Sequence, residues 1–163
     1  HRSLARITHE IIEKNKGTEN LILPGIRRRG EPLARMLADN MKRFEGTDIP
    51  MGYVDISLYR DDLTEKKDTP ETGESHIPFD VTGKKVIIVD DVIYTGRTAR
   101  AAIEAVFSLG RPKSVQLAVL VDRGHREMPI RPDYVGKNIP TSKHEKVSVV
   151  LNSDSDNGVF ILS

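Results

Sequence analysis

Lys85-Val86-Ile87-Ile88-Val89-Asp90-Asp91-Val92-Ile93-Tyr94-Thr95-Gly96-Arg97-Thr98 is the stretch whose reading decides the architecture. Val86 to Val89 contains no polar residue, which suits a strand covered on both faces of a parallel sheet. Two carboxylates, Asp90 and Asp91, follow at once. Neighbouring side chains on a strand point to opposite faces, so the two acids share a site only where the chain turns. The sequence therefore predicts a bend after Val89, with Gly96 allowing the backbone to approach a ligand closely. A helix is predicted from Arg97 to Leu109, ended by Gly110 and Pro112.

A strand, a tight loop and a helix start form a chemical unit. Free amides at the helix start, with the hydroxyls of Thr95 and Thr98, suit a phosphate. Adjacent carboxylates suit hydrogen-bond donors, either sugar hydroxyls or waters on a bound Mg²⁺. The loop thus offers a phosphate pocket beside a diol pocket, as a phosphorylated ribose requires. Taken singly, the acids read equally well as a strand-end cap and Thr95 as a helix cap. Acidic pairs also end strands in response-regulator receivers, but no Thr-Gly-Arg-Thr loop belongs there.

Working outward, Leu4, Ile7, Ile11 and Ile12 form one helical stripe, with Gly17 as its stop and Arg2, Arg6 and His9 on the opposite face. Asn20 to Pro24 is a short apolar strand leading into Gly25-Ile26-Arg27-Arg28-Arg29-Gly30. Two glycines that let amides converge and three arginines make this a second candidate anion loop. By itself it reads equally well as a solvated basic turn. Glu31-Pro32 opens a second helix. Val54, Ile56 and Leu58 alternate with polar residues and predict a strand. Arg60 to Asp80 is charged and lacks apolar periodicity, so a long mobile loop serving as a lid is expected there. Val115 to Val121, Tyr134-Val135, Val147 to Leu151 and Val159 to Leu162 read as further strands. This alternation predicts one open α/β sheet over residues 1–163, with binding loops at the carboxyl ends of its strands.

Composition bounds the function. The 163 residues suffice for one domain, and 37% apolar with 30% charged content describes a folded globular chain. No apolar run approaches the ~20 residues of a membrane helix, no signal-peptide pattern opens the chain, and no membrane partner is expected. The first residue is His1 and not Met, as expected where earlier residues are missing. Zero cysteines exclude disulfides and thiolate metal sites and fit a cytoplasmic location. With 5% aromatics and no Trp, an extended stacking platform for single strands is not expected.

Val86 to Thr98 resembles the 13-residue phosphoribosyl-pyrophosphate signature of type I phosphoribosyltransferases. The resemblance implies an α/β fold with a central, mostly parallel sheet flanked by helices, and a small hood built mainly from residues 122–163. It implies that Asp90 and Asp91 hold the ribose hydroxyls and that Tyr94 to Thr98 wrap the 5-phosphate. Arg27 and Arg28 are implied as catalytic contacts to substrate phosphate. Mg²⁺ would arrive with the substrate, with Asp90 and Asp91 as the protein groups nearest it. Purine-specific relatives carry an acid where Tyr94 stands, which disfavours hypoxanthine and guanine and leaves a pyrimidine such as uracil.

The stretch Leu120 to Lys143, with Asp55 to Asp62, is similar to a narrower family, the bacterial pyrimidine-operon attenuation regulators that are also uracil phosphoribosyltransferases. That similarity implies uracil and 5-phosphoribosyl-1-pyrophosphate as substrates and UMP as product, with Arg123 and Val147 contacting the nucleotide. It also implies UMP-promoted binding of a leader mRNA hairpin through Arg6, His9, His125, Arg126, Arg131 and Lys137, and a homodimer or homotetramer. From the residues alone the RNA signal is modest, with six Lys or Arg against four Asp or Glu between Val121 and Val147. A dedicated enzyme and a nucleotide-sensing regulator with little catalysis stay open as alternatives. Ala5 and Arg28 depart from the family, standing where threonine is common, and Pro24 before Gly25 is unusual.

Overall fold

The computed structural model describes residues 1–59, 75–151 and 158–162. Among these, the elements run α1 (Arg2–Lys14), β1 (Leu21–Ile26), α2 (Gly30–Glu45), β2 (Met51–Val54), β3 (Lys85–Ile93), α3 (Arg97–Phe107), β4 (Ser114–Asp122), β5 (Tyr134–Asn138), β6 (Lys146–Val150) and β7 (Gly158–Leu162). The first five strands form one sheet in the order β2-β1-β3-β4-β5, every neighbouring pair parallel. The open α/β sheet expected from the sequence is present. Strands β6 and β7 form a separate antiparallel hairpin.

Alternation along β3 divides the core. Ile87 and Val89 pack with Ile7 and Ile11 of α1 and Leu33, Leu37 and Met41 of α2 on one face. Val86 and Ile88 pack with Ala102, Ala105 and Val106 of α3 on the other. The alanines bring α3 close to the sheet, and burial of the branched side chains, worth roughly 1.5–3 kcal/mol each, holds both layers. From β1 the chain crosses through α2 outward to β2, and from β3 through α3 in the opposite direction to β4. The carboxyl ends of β1 and β3 are therefore the point where the winding reverses, the usual ligand crevice of such sheets.

Three local expectations are corrected. Strand β3 does not bend after Val89 but runs to Ile93, with Asp90 paired to Val119 and Val92 to Val121. The stretch at Val54 to Leu58 is not a strand, because β2 ends at Val54. Asp55 Oδ1 accepts from the Ser57 amide and hydroxyl, a side-chain turn that competes with sheet pairing. Tyr134 to Asn138, counted with the hood in the sequence, forms the fifth strand of the main sheet. Residues 60–74 of the expected lid lie outside the described residues; its returning end bridges His76 to Tyr53.

Candidate active site

Because β3 continues, Asp90 and Asp91 are fixed by the sheet and by their own carboxylates. The Asp91 amide donates to Asp90 Oδ1 at 2.8 Å, and the Val92 amide donates to Asp91 Oδ1 at 2.8 Å. Both residues are buried. Burial first, and the neighbouring charge of Asp91 second, hold the Asp90 carboxyl well above the ordinary carboxylate range, with Arg29 offsetting only part. Among the described residues no group of three or more His, Cys, Asp or Glu converges as a metal cage. Two hard carboxylate oxygens still suit Mg²⁺, which keeps most of its coordination in water and substrate oxygens.

Beyond Ile93 the chain closes a cavity of about 450 Å³ whose lining includes Asp90, Tyr94, Thr95, Gly96, Thr98 and Glu127. Gly96 precedes α3 with φ +92°, and an added Cβ would lie 3.1 Å from Met128 Cβ. The Thr95 carbonyl accepts from the amides of Glu127 and Met128 at 2.8 and 2.9 Å, and Arg126 Nη1 donates to the Tyr94 carbonyl at 2.8 Å. Across planar trans peptides the amides of Thr95 and Gly96 then point away from the 126–128 segment. Together with the amides of Thr98 and Ala99 in the first turn of α3, they form a cradle for an oxyanion; the Arg97 amide donates instead to Thr95 Oγ1 at 3.2 Å. Glu127, the acid on this wall, is paired with Arg97 at 2.9 Å.

The arginine loop reaches the same crevice by close backbone packing. A Cβ on Gly30 would sit 2.2 Å from the Val89 carbonyl oxygen and 3.2 Å from Asp90 Cα. A Cβ on Gly25 would sit 2.5 Å from the Glu31 nitrogen. Gly30 lets the two loops meet, and Gly25 lets the arginine loop close on its own return. The peptide between Arg27 and Arg28 is cis. Arg27, Arg28 and Arg29 are exposed. Arg29 Nη1 lies 4.0 Å from Asp91 Oδ2, tying one loop to the other. Sequence reasoning did not single out Arg29, since three consecutive arginines carry no signal of which faces the acids.

A profile of the phosphoribosyl transferase domain matches residues 1–155. The chain belongs to the phosphoribosyltransferase family. Within that family it is similar to Bifunctional protein PyrR of Pelotomaculum thermopropionicum, 62% identical over 99% of this chain and 90% of that protein. Bifunctional protein PyrR of Clostridium perfringens is 63% identical over 92% of this chain and 84% of its own length. Among solved structures, a Trypanosoma cruzi hypoxanthine phosphoribosyltransferase in a ternary substrates complex superposes with a TM-score of 0.75 at 22% identity. That match covers 99% of this chain and 89% of the other. The identities place this phosphoribosyltransferase in the PyrR branch, and the superposition shows the fold.

In this phosphoribosyltransferase the remaining residues singled out in the sequence separate into two groups. Arg123 is buried, with no carboxylate partner among the described residues, donating to Thr141 Oγ1 at 2.9 Å and to the carbonyls of Ser142 and Glu145 at 3.0 and 2.5 Å. Its guanidinium lies 4.2 Å from the Tyr94 ring centroid, and His125 meets that ring edge-on at 5.6 Å, its Nε2 against the Thr141 carbonyl. Arg126 also pairs with Asp122 at 2.6 Å. Arg123 and His125 thus join Tyr94 to residues 141–145, while Arg126 ties the Tyr94 carbonyl to Asp122. Val147 lies on β6, whose hairpin borders a small cavity with His1, Leu4 and Met36.

The second group lies on the helical side and the sheet edge. Arg6 pairs with Glu10 at 2.9 Å and donates to the carbonyls of Val135 and Gly136 on β5. His9 stacks on Phe44 with centroids 4.5 Å apart. Arg131 and Lys137 are exposed. The six basic candidates are therefore not equivalent: Arg6 and Arg126 are bonded within the protein, whereas Arg131 and Lys137 face solvent. Among the described residues no helix is long and apolar enough to cross a membrane.

Proposed function

We propose that this chain transfers the phosphoribosyl group of 5-phosphoribosyl-1-pyrophosphate to uracil, giving UMP and pyrophosphate, and that its UMP-bound form binds a leader mRNA hairpin to attenuate transcription of pyrimidine biosynthesis genes. The single observation carrying the enzymatic half is the juxtaposition of the Asp90–Asp91 pair with the amides of Thr95 and Gly96, which have no backbone acceptor among the described residues, at one end of the parallel sheet. The regulatory half is supported by membership in the PyrR branch.

In this reading Asp90 and Asp91 accept from the ribose hydroxyls, and the Tyr94–Thr98 loop with the helix start holds the 5-phosphate. Arg27 and Arg28 receive the pyrophosphate. As uracil N1 bonds to C1 of the ribose, the bond from C1 to the pyrophosphate oxygen breaks and takes its electron pair onto the leaving group, and the N1 proton passes to water or to the departing pyrophosphate. Fixed guanidiniums and amides stabilise that developing negative charge. Mg²⁺, when bound with the substrate, adds electrostatic stabilisation of the same oxygens; Asp90 and Asp91 would meet its waters. Tyr94 stands where purine-specific relatives carry an acid, which favours a pyrimidine acceptor such as uracil. Arg123 and Val147 line the nucleotide side. A cytoplasmic location and a homodimer or homotetramer complete the proposal, which follows the family resemblance.

Two assays test the halves separately. Radiolabelled uracil is expected to become UMP with Mg²⁺ present, while hypoxanthine stays unchanged; no conversion of uracil sinks the enzymatic half. A pyrimidine-leader hairpin is expected to be retained on filters more strongly with UMP than without it. Retention indifferent to UMP removes the regulatory half.

A further inference from the structure

Three arginines follow β1, and the fold treats them unequally. Arg27 is held from two sides by residues of β2 and the turn beyond it. Parallel pairing sets Ile26 opposite Val54, and the Arg27 amide donates to the Val54 carbonyl at 3.0 Å. This register carries the Arg27 side chain over Tyr53, its guanidinium carbon 4.9 Å from the ring centroid. It also brings Nη1 to 3.7 Å from Asp55 Oδ2. Asp55 is itself fixed: its Oδ1 accepts from the Ser57 amide at 3.0 Å and hydroxyl at 2.7 Å, and its amide meets Ser75 Oγ at 3.2 Å. Tyr53 is fixed as well, bridged to His76 by two backbone hydrogen bonds of 2.8 and 3.0 Å. Among the described residues Arg28 has no side-chain partner of this kind.

We infer that Asp55 and Tyr53 are positioning residues for Arg27, holding its guanidinium where a pyrophosphate group is received; this rests on the pyrophosphate reading of the arginine loop given above. A long exposed side chain loses conformational freedom on binding, and a cation held beforehand has less to lose. The hold is loose by design: a 3.7 Å pair with a 43% exposed guanidinium is weak in water and releases readily to a bidentate phosphate. Two effects of Asp55 oppose each other. Its charge competes with pyrophosphate for Arg27, and its geometry orders Arg27. Screening of the exposed pair diminishes the first effect, so ordering decides the sign.

Steady-state kinetics of the full chain test this. Asp55→Asn keeps an oxygen for the Ser57 turn and removes only the charge. It is expected to raise KM for 5-phosphoribosyl-1-pyrophosphate about fivefold with kcat within about twofold, and to leave UMP affinity unchanged because UMP has no pyrophosphate. In an Arg27→Ala background the same substitution is expected to add nothing, since its effect passes through Arg27. Tyr53→Leu should raise KM similarly while Tyr53→Phe should not, and neither disturbs the Asp55 turn. An unchanged or lowered KM in Asp55→Asn, or an equal rise with Arg27 absent, overturns the inference. A wild-type chain that binds UMP yet never uses 5-phosphoribosyl-1-pyrophosphate removes the underlying reading instead, and the two failures look different.

Discussion

In the loop after β3, the carbonyls of Tyr94 and Thr95 are occupied by the 126–128 segment, Gly96 holds a left-handed turn, and the acids are buried. In the loop after β1, three guanidiniums are exposed, and the two ion pairs they make among the described residues are long, 3.7 and 4.0 Å. The first loop is a cage completed before any ligand arrives; the second presents exposed cations, of which Arg27 is held loosely by Asp55 and Tyr53 and Arg29 by Asp91. Under the proposed reaction the difference has a physical sense. The 5-phosphate and ribose stay in place throughout, so a rigid site loses nothing. Pyrophosphate arrives and departs, so its binders must also release it, and arginines on an exposed loop do that.

The strongest break in this contrast is expected inside the cage. Asp91→Asn removes a charged acceptor with the backbone bond to Val92 retained, and kcat/KM should fall about 10²-fold, as loss of roughly 2–3 kcal/mol of charge-assisted bonding implies. Hairpin binding without UMP should change by less than about twofold, because Asp91 is buried whereas the candidate RNA contacts Arg131 and Lys137 are exposed. Steady-state uracil conversion and filter binding on the same preparation check both, and equal losses would contradict the separation.

A smaller break is expected at Gly96. Alanine there must adopt φ +92° and press a Cβ against Met128, so unfolding free energy should drop by about 1–2 kcal/mol. KM for 5-phosphoribosyl-1-pyrophosphate should rise about tenfold as the amide cradle opens. Arg28→Gln provides the contrast: KM should rise only about threefold and the denaturation midpoint should stay put, because nothing in the fold leans on that side chain. Urea melts beside kinetics distinguish the two. Gly96→Ala without loss of stability would mean the loop is not preformed.

Much of this was legible in the sequence, for identifiable reasons. The unbroken apolar run Val86–Val89 could be nothing but a doubly covered strand, and the spacing of Leu33, Leu37 and Met41 fixed the inner face of α2. The turn into α3 was readable because glycine and a helix start occur together. The continuation of β3 through Asp90 and Asp91 was hidden, because acids in a strand look like its end until pairing with Val119 and Val121 is seen. Equally hidden was the buttress of Arg126, Glu127 and Met128, since no local pattern tells a basic side chain bonded to a distant carbonyl from one bathed in water.

That last ambiguity sets the next prediction. Arg126→Gln is expected to loosen the Tyr94 loop as well as any RNA contact, so it separates nothing. Arg131→Gln and Lys137→Gln change exposed cations only. Each should lower hairpin affinity a few-fold and reduce the slope of log affinity against log salt by about one, with uracil kinetics unaltered. A salt slope identical to wild type in both variants would place the RNA surface elsewhere.

The smallest expected effect concerns the cage without ligand and runs opposite to its effect on catalysis. Burial and Asp91 raise the Asp90 carboxyl in the folded state, so the protonated form favours folding. Stability from this group is complete below the unfolded carboxylate value and declines as pH rises through the elevated folded one. Asp90→Asn retains an oxygen for the Asp91 amide and carries no charge at any pH. Its melting temperature at pH 8 without substrate should exceed wild type by roughly 2–4 °C, the shift about 1 kcal/mol produces in a domain of this size. The gap should narrow as pH falls toward the ordinary unfolded carboxylate value of about 4 and close below it, where Asp90 is protonated in both states. Calorimetric melts across that range decide it. A variant that melts lower at pH 8, or a gap that widens in acid, would show that Asp90 supports the fold as an ion, and the cage would then be held together by the charges it is expected to tolerate.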